Sequence, residues 1–142
     1  MKTAAQTLYL PRPLVNKMLA HAQHNPSVEV CGLIANDAAD QKVYYAIDNV
    51  AENPGCRFLM DAPQQIKAMK QMRDRQQQLF AIVHSHPKTD ARPSALDIAE
   101  NSYREAFYII ISLNTRGVLE MRAYRQLLDS MQEIELILED ES

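Results

Sequence analysis

The run Leu79-Phe80-Ala81-Ile82-Val83 is apolar at every position and passes without a break into His84-Ser85-His86. Successive side chains of a strand point to opposite faces, so an unbroken apolar run must be covered on both sides. That pattern belongs to the central strand of a sheet sandwiched by helices, not to a sheet with one wet face. The rest of the chain supplies what such a strand needs. Thr7 to Leu10 reads as a short strand stopped by Pro11-Arg12-Pro13. Leu14, Val15, Met18, Leu19 and Ala22 form one helical stripe ending near Asn25-Pro26. Val30 to Ala35 predicts a buried strand and Lys42 to Val50 a second, with Asn53-Pro54-Gly55 as a turn. Asp61 with Gln64 has the spacing of a capping box, and Ile66, Met69 and Met72 give the next helix an apolar edge. Ser94 opens a short helix expected to reach about Tyr103, and Phe107 to Leu113 is another apolar strand. Gly117 marks a turn, after which Leu119, Met121 and Ala123 alternate with Glu120, Arg122 and Tyr124, predicting a half-exposed strand. Strands and helices interleave throughout, so the expected fold class is α/β, with a mixed central sheet flanked by helices.

A chain of 142 residues is the size of one domain and can bury a genuine core. Residues 1–128 are read as the body of that domain. Residues 129–142 are read as its C-terminal strand, alternating Ile134, Leu136 and Leu138 with polar positions, and an acidic tail. With 15 Lys+Arg against 18 Asp+Glu the net charge is -3, which argues against nucleic acid as a partner. No apolar stretch is long enough to cross a membrane. The start, Met1 to Thr7, has no apolar core of a signal peptide, so a soluble, cytoplasmic protein is expected. The two cysteines, Cys31 and Cys56, are too few for a disulfide scaffold. Cys31 falls inside an apolar strand and reads as a small core residue; Cys56 follows Gly55 in a loop and reads as an exposed thiol.

The chemistry is concentrated where the central strand ends. Residues i and i+2 of a strand share a face, so His84 and His86 can converge on one ion. Catalytic zinc takes three protein ligands and keeps a fourth position open. Asp97 is the candidate for the third ligand, separated from His86 by ten residues and lying in the first turn of the helix that Ser94 opens. Each feature also has a plain structural reading: Ser94 and Asp97 make a good capping box, and two histidines can simply hydrogen-bond each other. Other hydrolases built on His-x-His fit worse, because no histidine follows His86 and the amidohydrolase barrel needs about 250 residues. His21 and His24 lie on or just after the first helix and read as a solvated helix end.

His84-Ser85-His86-Pro87, Ala91-Arg92-Pro93-Ser94, Asp97 and the strand Tyr108 to Leu113 resemble the signature of the JAMM (MPN+) metalloproteases in their short bacterial form. Glu29-Val30-Cys31-Gly32-Leu33-Ile34 is similar to that family's early Glu-x-Cys-Gly-Leu strand. The likeness runs from about Leu8 to Tyr124. It implies a single-domain JAMM/MPN fold resembling cytidine deaminase, with one zinc held by His84, His86 and Asp97. It also implies hydrolysis of the amide bond after the C-terminal Gly-Gly of a ubiquitin-like protein. Short bacterial members suggest a ThiS- or MoaD-type sulfur carrier as substrate, since the chain has no room for the insertions with which larger relatives grip ubiquitin chains. A homodimer is compatible with this reading.

In that reading Glu29 takes the proton of the attacking water and returns it to the departing amine. Ser94 would donate to the developing oxyanion, a role that can coexist with its capping role. Arg92 and Lys88 either meet an acidic carrier surface or are merely solvated. The competing class is a non-catalytic MPN-type scaffold for protein interaction. Retention of Glu29, His84, His86, Ser94 and Asp97 together favours the enzyme, because a drifting scaffold would lose at least one.

Overall fold

The computed structural model describes residues 6–114 and 120–140. The elements are β1 (Thr7–Pro11), α1 (Arg12–His24), β2 (Cys31–Asn36), β3 (Lys42–Ile47), α2 (Ala62–Asp74), β4 (Gln78–His86), α3 (Ala95–Glu100), β5 (Phe107–Ser112), β6 (Glu120–Gln126) and β7 (Met131–Glu139). They build a seven-stranded sheet in the order β1-β7-β6-β5-β4-β2-β3. The β4–β5 and β1–β7 pairs are parallel and the others antiparallel. The all-apolar run therefore lies in the middle of the sheet, as its sequence requires. Gly117 and Leu119 lie outside the described residues.

Strand parity divides the core in two. On one face Ile34 of β2, Ala81 and Val83 of β4, and Ile109 and Ile111 of β5 pack with Leu14, Val15, Met18 and Ala22 of α1. On the other face Leu33 and Ala35, Ile82, and Tyr108 and Ile110 pack with Ala68 and Met72 of α2. The layers are helix, sheet, helix. His84 and His86 follow the parity of Ile82 and so emerge on the α2 side, whereas Ser85 follows Val83 toward α1.

Several boundaries differ from the sequence expectation, each for a local reason. The second early strand ends at Ile47 rather than Val50, because Asn49 leaves the ladder and turns its side chain onto the backbone of the neighbouring loop. Asp61 caps α2 as expected, accepting from the Gln64 N–H, but the Gln64 side chain turns to Asp48 instead of closing the box. Ile66 is 69% exposed; the buried stripe of α2 runs through Ala68 and Met72, and Ile66 falls at its margin. The helix after Ser94 stops at Glu100, because the Asn101 side chain accepts from the Tyr103 N–H and ends the turn there. Tyr124 is buried rather than outward, with its hydroxyl donating to the Ala91 carbonyl, so both faces of β6 are covered at that point. His21 is half-buried, its Nδ1 2.7 Å from Tyr44 Oη, and burial lowers its pKa; only His24 is solvated.

Gly32 in β2 has a specific steric cause. The Tyr44 ring of the adjacent strand occupies the space beside it, and an added Cβ would fall 2.6 Å from Tyr44 Cζ and Oη. Gly32→Ala should push the ring off β2 and break its contact with His21. The expected cost is about 1–3 kcal/mol, in line with overpacking elsewhere. Denaturant unfolding reads it directly, and an unchanged midpoint would mean that the ring moves freely.

Candidate metal centre and its cleft

Four buried ionisable side chains meet on the α2 side of the sheet: Glu29, His84, His86 and Asp97, with one potential ligand atom from each within 4.8 Å of all the others. β4 supplies the histidines by its pleat. The antiparallel register places Cys31 opposite His84, and Glu29, two residues earlier, therefore points to the same face. Asp97 comes from the first turn of α3, held by a complete capping box. Ser94 Oγ accepts from the Asp97 N–H at 3.0 Å, and Asp97 Oδ2 accepts from the Ser94 N–H at 2.8 Å. Capping and site geometry thus coexist in one carboxylate. The Ser94 oxygen is occupied as an acceptor, which leaves its proton free to donate from an exposed position.

Distances decide what the cluster can hold. His84 Nε2 and His86 Nε2 are 2.9 Å apart, His84 Nε2 is 3.4 Å from Asp97 Oδ1, and His86 Nε2 is 3.1 Å from Asp97 Oδ2. His86 Nδ1 lies 2.7 Å from the Asp90 carbonyl, which can only accept, so that nitrogen carries a proton. In neutral His86 the Nε2 atom is then a bare lone pair facing another imidazole nitrogen and a carboxylate oxygen. A proton on one of the Nε2 atoms, or a metal ion among them, relieves this opposition of lone pairs. Tetrahedral zinc with bonds of about 2.0–2.1 Å spaces its ligands about 3.3 Å apart, and the observed separations bracket that value. With both carboxylates ionised and both imidazoles neutral the buried site would carry two negative charges, which a divalent cation would balance.

The electrostatics point the same way. Burial alone would raise the Asp97 pKa, but hydrogen bonds from His84 and His86 outweigh it and hold the carboxyl well below the usual range. His84 is fully buried and its pKa falls, chiefly through desolvation. His86 is less enclosed: desolvation still opposes its charge, but Asp97 and the Asp90 carbonyl prevail and raise it. Glu29 is pushed up to about 7, first by burial, with the nearby Asp97 charge adding and His86 opposing. Its Oε1 lies 3.7 Å from His84 Nε2 and is buried without a hydrogen-bond partner among the described residues. A carboxylate near neutrality with a free acceptor atom is suited to moving a proton.

Packing and backbone contacts fix these groups, and much of that support is not visible as a motif. Phe58 stacks on the His84 ring at 4.5 Å between centroids, and Tyr108 meets it edge-on at 5.3 Å. Ser85 turns to the opposite face, where its Oγ accepts from the Val30 N–H at 2.9 Å and its backbone N–H donates to the Val30 carbonyl. That stitch holds the segment bearing Glu29 against the strand bearing the histidines. Asn49 donates to the carbonyls of Glu29 and Arg57 and accepts from the Leu59 N–H. It binds Glu29 to residues 57–60, one wall of a cleft whose other wall is α3. Cys31 is buried with its thiol pushed up to about 12 by burial, and Cys56 is exposed, as expected. Lys88 is exposed and Arg92 pairs with Asp90 at 3.3 Å; neither lines the cleft.

Residues 11–126 match the family described as prokaryotic homologs of the JAB domain. The chain belongs to this family. Its curated relatives include the CysO-cysteine peptidase of Mycobacterium tuberculosis, 30% identical over 125 residues that cover 87% of this chain and 86% of that protein. A probable TtuB-protein conjugate cleaving protease of Thermus thermophilus is 35% identical over 131 residues, 92% of this chain and 82% of the relative. Among solved structures, a protein from Desulfitobacterium hafniense is 31% identical with a TM-score of 0.82, covering 96% of this chain and 94% of that one. The matched region spans the whole cluster from Glu29 to Asp97, whereas β1 up to Leu10 and all of β7 fall outside it. The JAB assignment agrees with the resemblance read from the sequence. No helix among the described residues is long and apolar enough to cross a membrane.

Ser85 carries a prediction of its own. Ser85→Ala leaves the buried Val30 N–H without its side-chain acceptor, a loss that should cost about 1–3 kcal/mol of stability. His84, His86 and Asp97 are untouched, so whatever metal the wild-type protein takes up should be taken up equally by the variant. Denaturant unfolding alongside metal analysis tests both parts, and loss of metal from a folded variant would place Ser85 closer to the cluster than its orientation allows.

Proposed function

We propose that this JAB-domain chain is a zinc-dependent peptidase that hydrolyses the amide bond after the C-terminal Gly-Gly of a ubiquitin-like sulfur-carrier protein of the ThiS/MoaD type. The observation that carries the reading is the convergence of Glu29, His84, His86 and Asp97 within 4.8 Å in a buried pocket that opens beside a cleft. The named relatives act on CysO-cysteine and on TtuB conjugates, which supports a carrier adduct as the substrate class. In this reading His84, His86 and Asp97 hold one zinc per chain. When bound, zinc would polarise the scissile carbonyl and lower the pKa of water from 15.7 to about 7. Glu29, with its unpartnered oxygen, takes the proton from the attacking water and passes it to the departing amine. The C–N bond breaks, the water oxygen joins the terminal glycine as its carboxyl group, and the amine leaves; the second water proton is then lost to the amine or to solvent, leaving the carboxylate. Ser94 donates its free hydroxyl proton to the carbonyl oxygen as charge gathers there.

The direct test incubates the zinc-loaded protein with MoaD- and ThiS-type carriers extended past Gly-Gly and reads product masses. Cleavage after the second glycine supports the proposal; binding of carrier without cleavage by the loaded protein would make the chain a scaffold.

Metal content and turnover separate the roles. The purified protein should bind about one zinc, and His84→Ala with His86→Ala should abolish binding. Full occupancy in that double variant would remove these residues from the ligand set.

Glu29→Gln should keep zinc and carrier affinity while single-turnover cleavage falls by about 10²- to 10⁴-fold, the usual cost of losing a general base. Wild-type cleavage by this variant would exclude Glu29 from proton transfer, and loss of zinc would recast it as a ligand.

A further inference from the structure

The cleft beside the cluster holds about 160 Å³, close to the space that accommodates one benzene-sized molecule. One wall is the extended segment from Arg57 to Met60 and the other is α3, with Asp97 of the cluster forming part of the lining. A single cation lines it among the described residues: Arg57, one residue before the Phe58 ring that stacks on His84. Arg57 reaches across to Glu100, which sits one helical turn beyond Asp97, with Nη2 donating to Oε2 at 2.9 Å. The pair is part exposed, so water reaches the other Nη donors of the guanidinium. Its Nε is shielded from solvent and finds no acceptor among the described residues. A permanently charged fork with a single N–H paired to Glu100 and a shielded Nε–H unpaired is incompletely satisfied, and a carboxylate accepting along the Nε edge is the group that would complete it.

The reaction proposed above offers one. A Gly-Gly tail is uncharged, so it brings no partner for a cation. The leaving group is different: when a single amino acid is joined through its α-amine to the carrier, it carries a free α-carboxylate. We infer that Arg57 is a specificity-determining residue that receives the α-carboxylate of the amino acid released from the carrier, and that Glu100 occupies it when no substrate is bound. This inference rests on the peptidase reading and narrows it. The preferred adduct is one C-terminal amino acid with a free carboxylate, and an isopeptide link to an internal lysine of a folded protein lacks that group.

The test uses one Gly-Gly-ended carrier bearing a single alanine, prepared with a free carboxylate and as the carboxamide. Wild type should favour the carboxylate by about 10- to 100-fold in kcat/KM, the range of a charge-assisted bidentate contact. Arg57→Gln should erase that preference by slowing the carboxylate substrate alone. Glu100→Gln, which removes the competitor and leaves the arginine, should keep or widen it. The same pattern should appear in affinities titrated with the Glu29→Gln protein, where no cleavage intervenes. Equal slowing of both substrates by Arg57→Gln would make the residue a strut or a tail contact and overturn the inference. Matching effects of the two variants, or no preference in wild type, would do the same. If wild type cleaves neither substrate, the peptidase reading itself falls, whereas cleavage of both at equal rates removes only the role of Arg57.

Discussion

The pairing of β2 with β4 decides everything chemical in this molecule. Cys31 lies opposite His84, and the Val30 backbone is held to Ser85 by two hydrogen bonds. Because strand parity is two, a slip of one residue would send Glu29 toward α1 and leave the histidines facing an apolar side chain. The register is protected from both sides: Ile34, Ala81 and Val83 are buried against α1, while Leu33, Ala35 and Ile82 are buried against α2. The irregularity in this pair falls between Ile34 and Ala35, away from the site, so the twist it introduces does not disturb the end that carries the chemistry.

An apolar core with four ionisable groups at its edge would be unstable if those groups were left to themselves. Here each is restrained by something other than the cluster: Asp97 by the α3 cap, His86 by the Asp90 carbonyl, His84 by Phe58 and Tyr108, and Glu29 by the backbone contacts of its own segment. The site is preorganised by parts that have separate structural reasons to exist. Asp97 shows the economy most clearly, since one carboxylate both starts a helix and faces two imidazoles.

Much of this was legible in the residues. The apolar run of β4 announced a central strand, and His84-Ser85-His86 announced two side chains on one face, because both follow from the period of a strand. Ser94 and Asp97 were legible as a cap and, with the family likeness, as part of a site. What could not be read were contacts between segments distant in sequence. Asn49 looks like any polar residue at a strand end, yet it ties Glu29 to the loop at residues 57–59. Ile66 fits a helical stripe in sequence and is nonetheless exposed, because which stripe of α2 is buried depends on how that helix sits on the sheet. His21 looked solvated until β3 brought Tyr44 to it.

The sheet is closed at its far edge by two strands from opposite ends of the chain, with Thr7 beside Glu135 and Pro11 beside Glu139. Leu8, Leu10 and Ile134 from this pair enter the core under α1, while Glu29, His84, His86 and Asp97 all lie in segments between them. During synthesis β1 emerges before the other strands of the sheet, and its partner β7 follows after them. Until then β1 offers an unpaired edge, the kind of surface on which chains join to one another. The contact is of the longest range the fold contains, so its formation carries a large entropic delay. The topology allows the cluster to assemble from β2, β4 and α3 while the sheet is still open at its other edge.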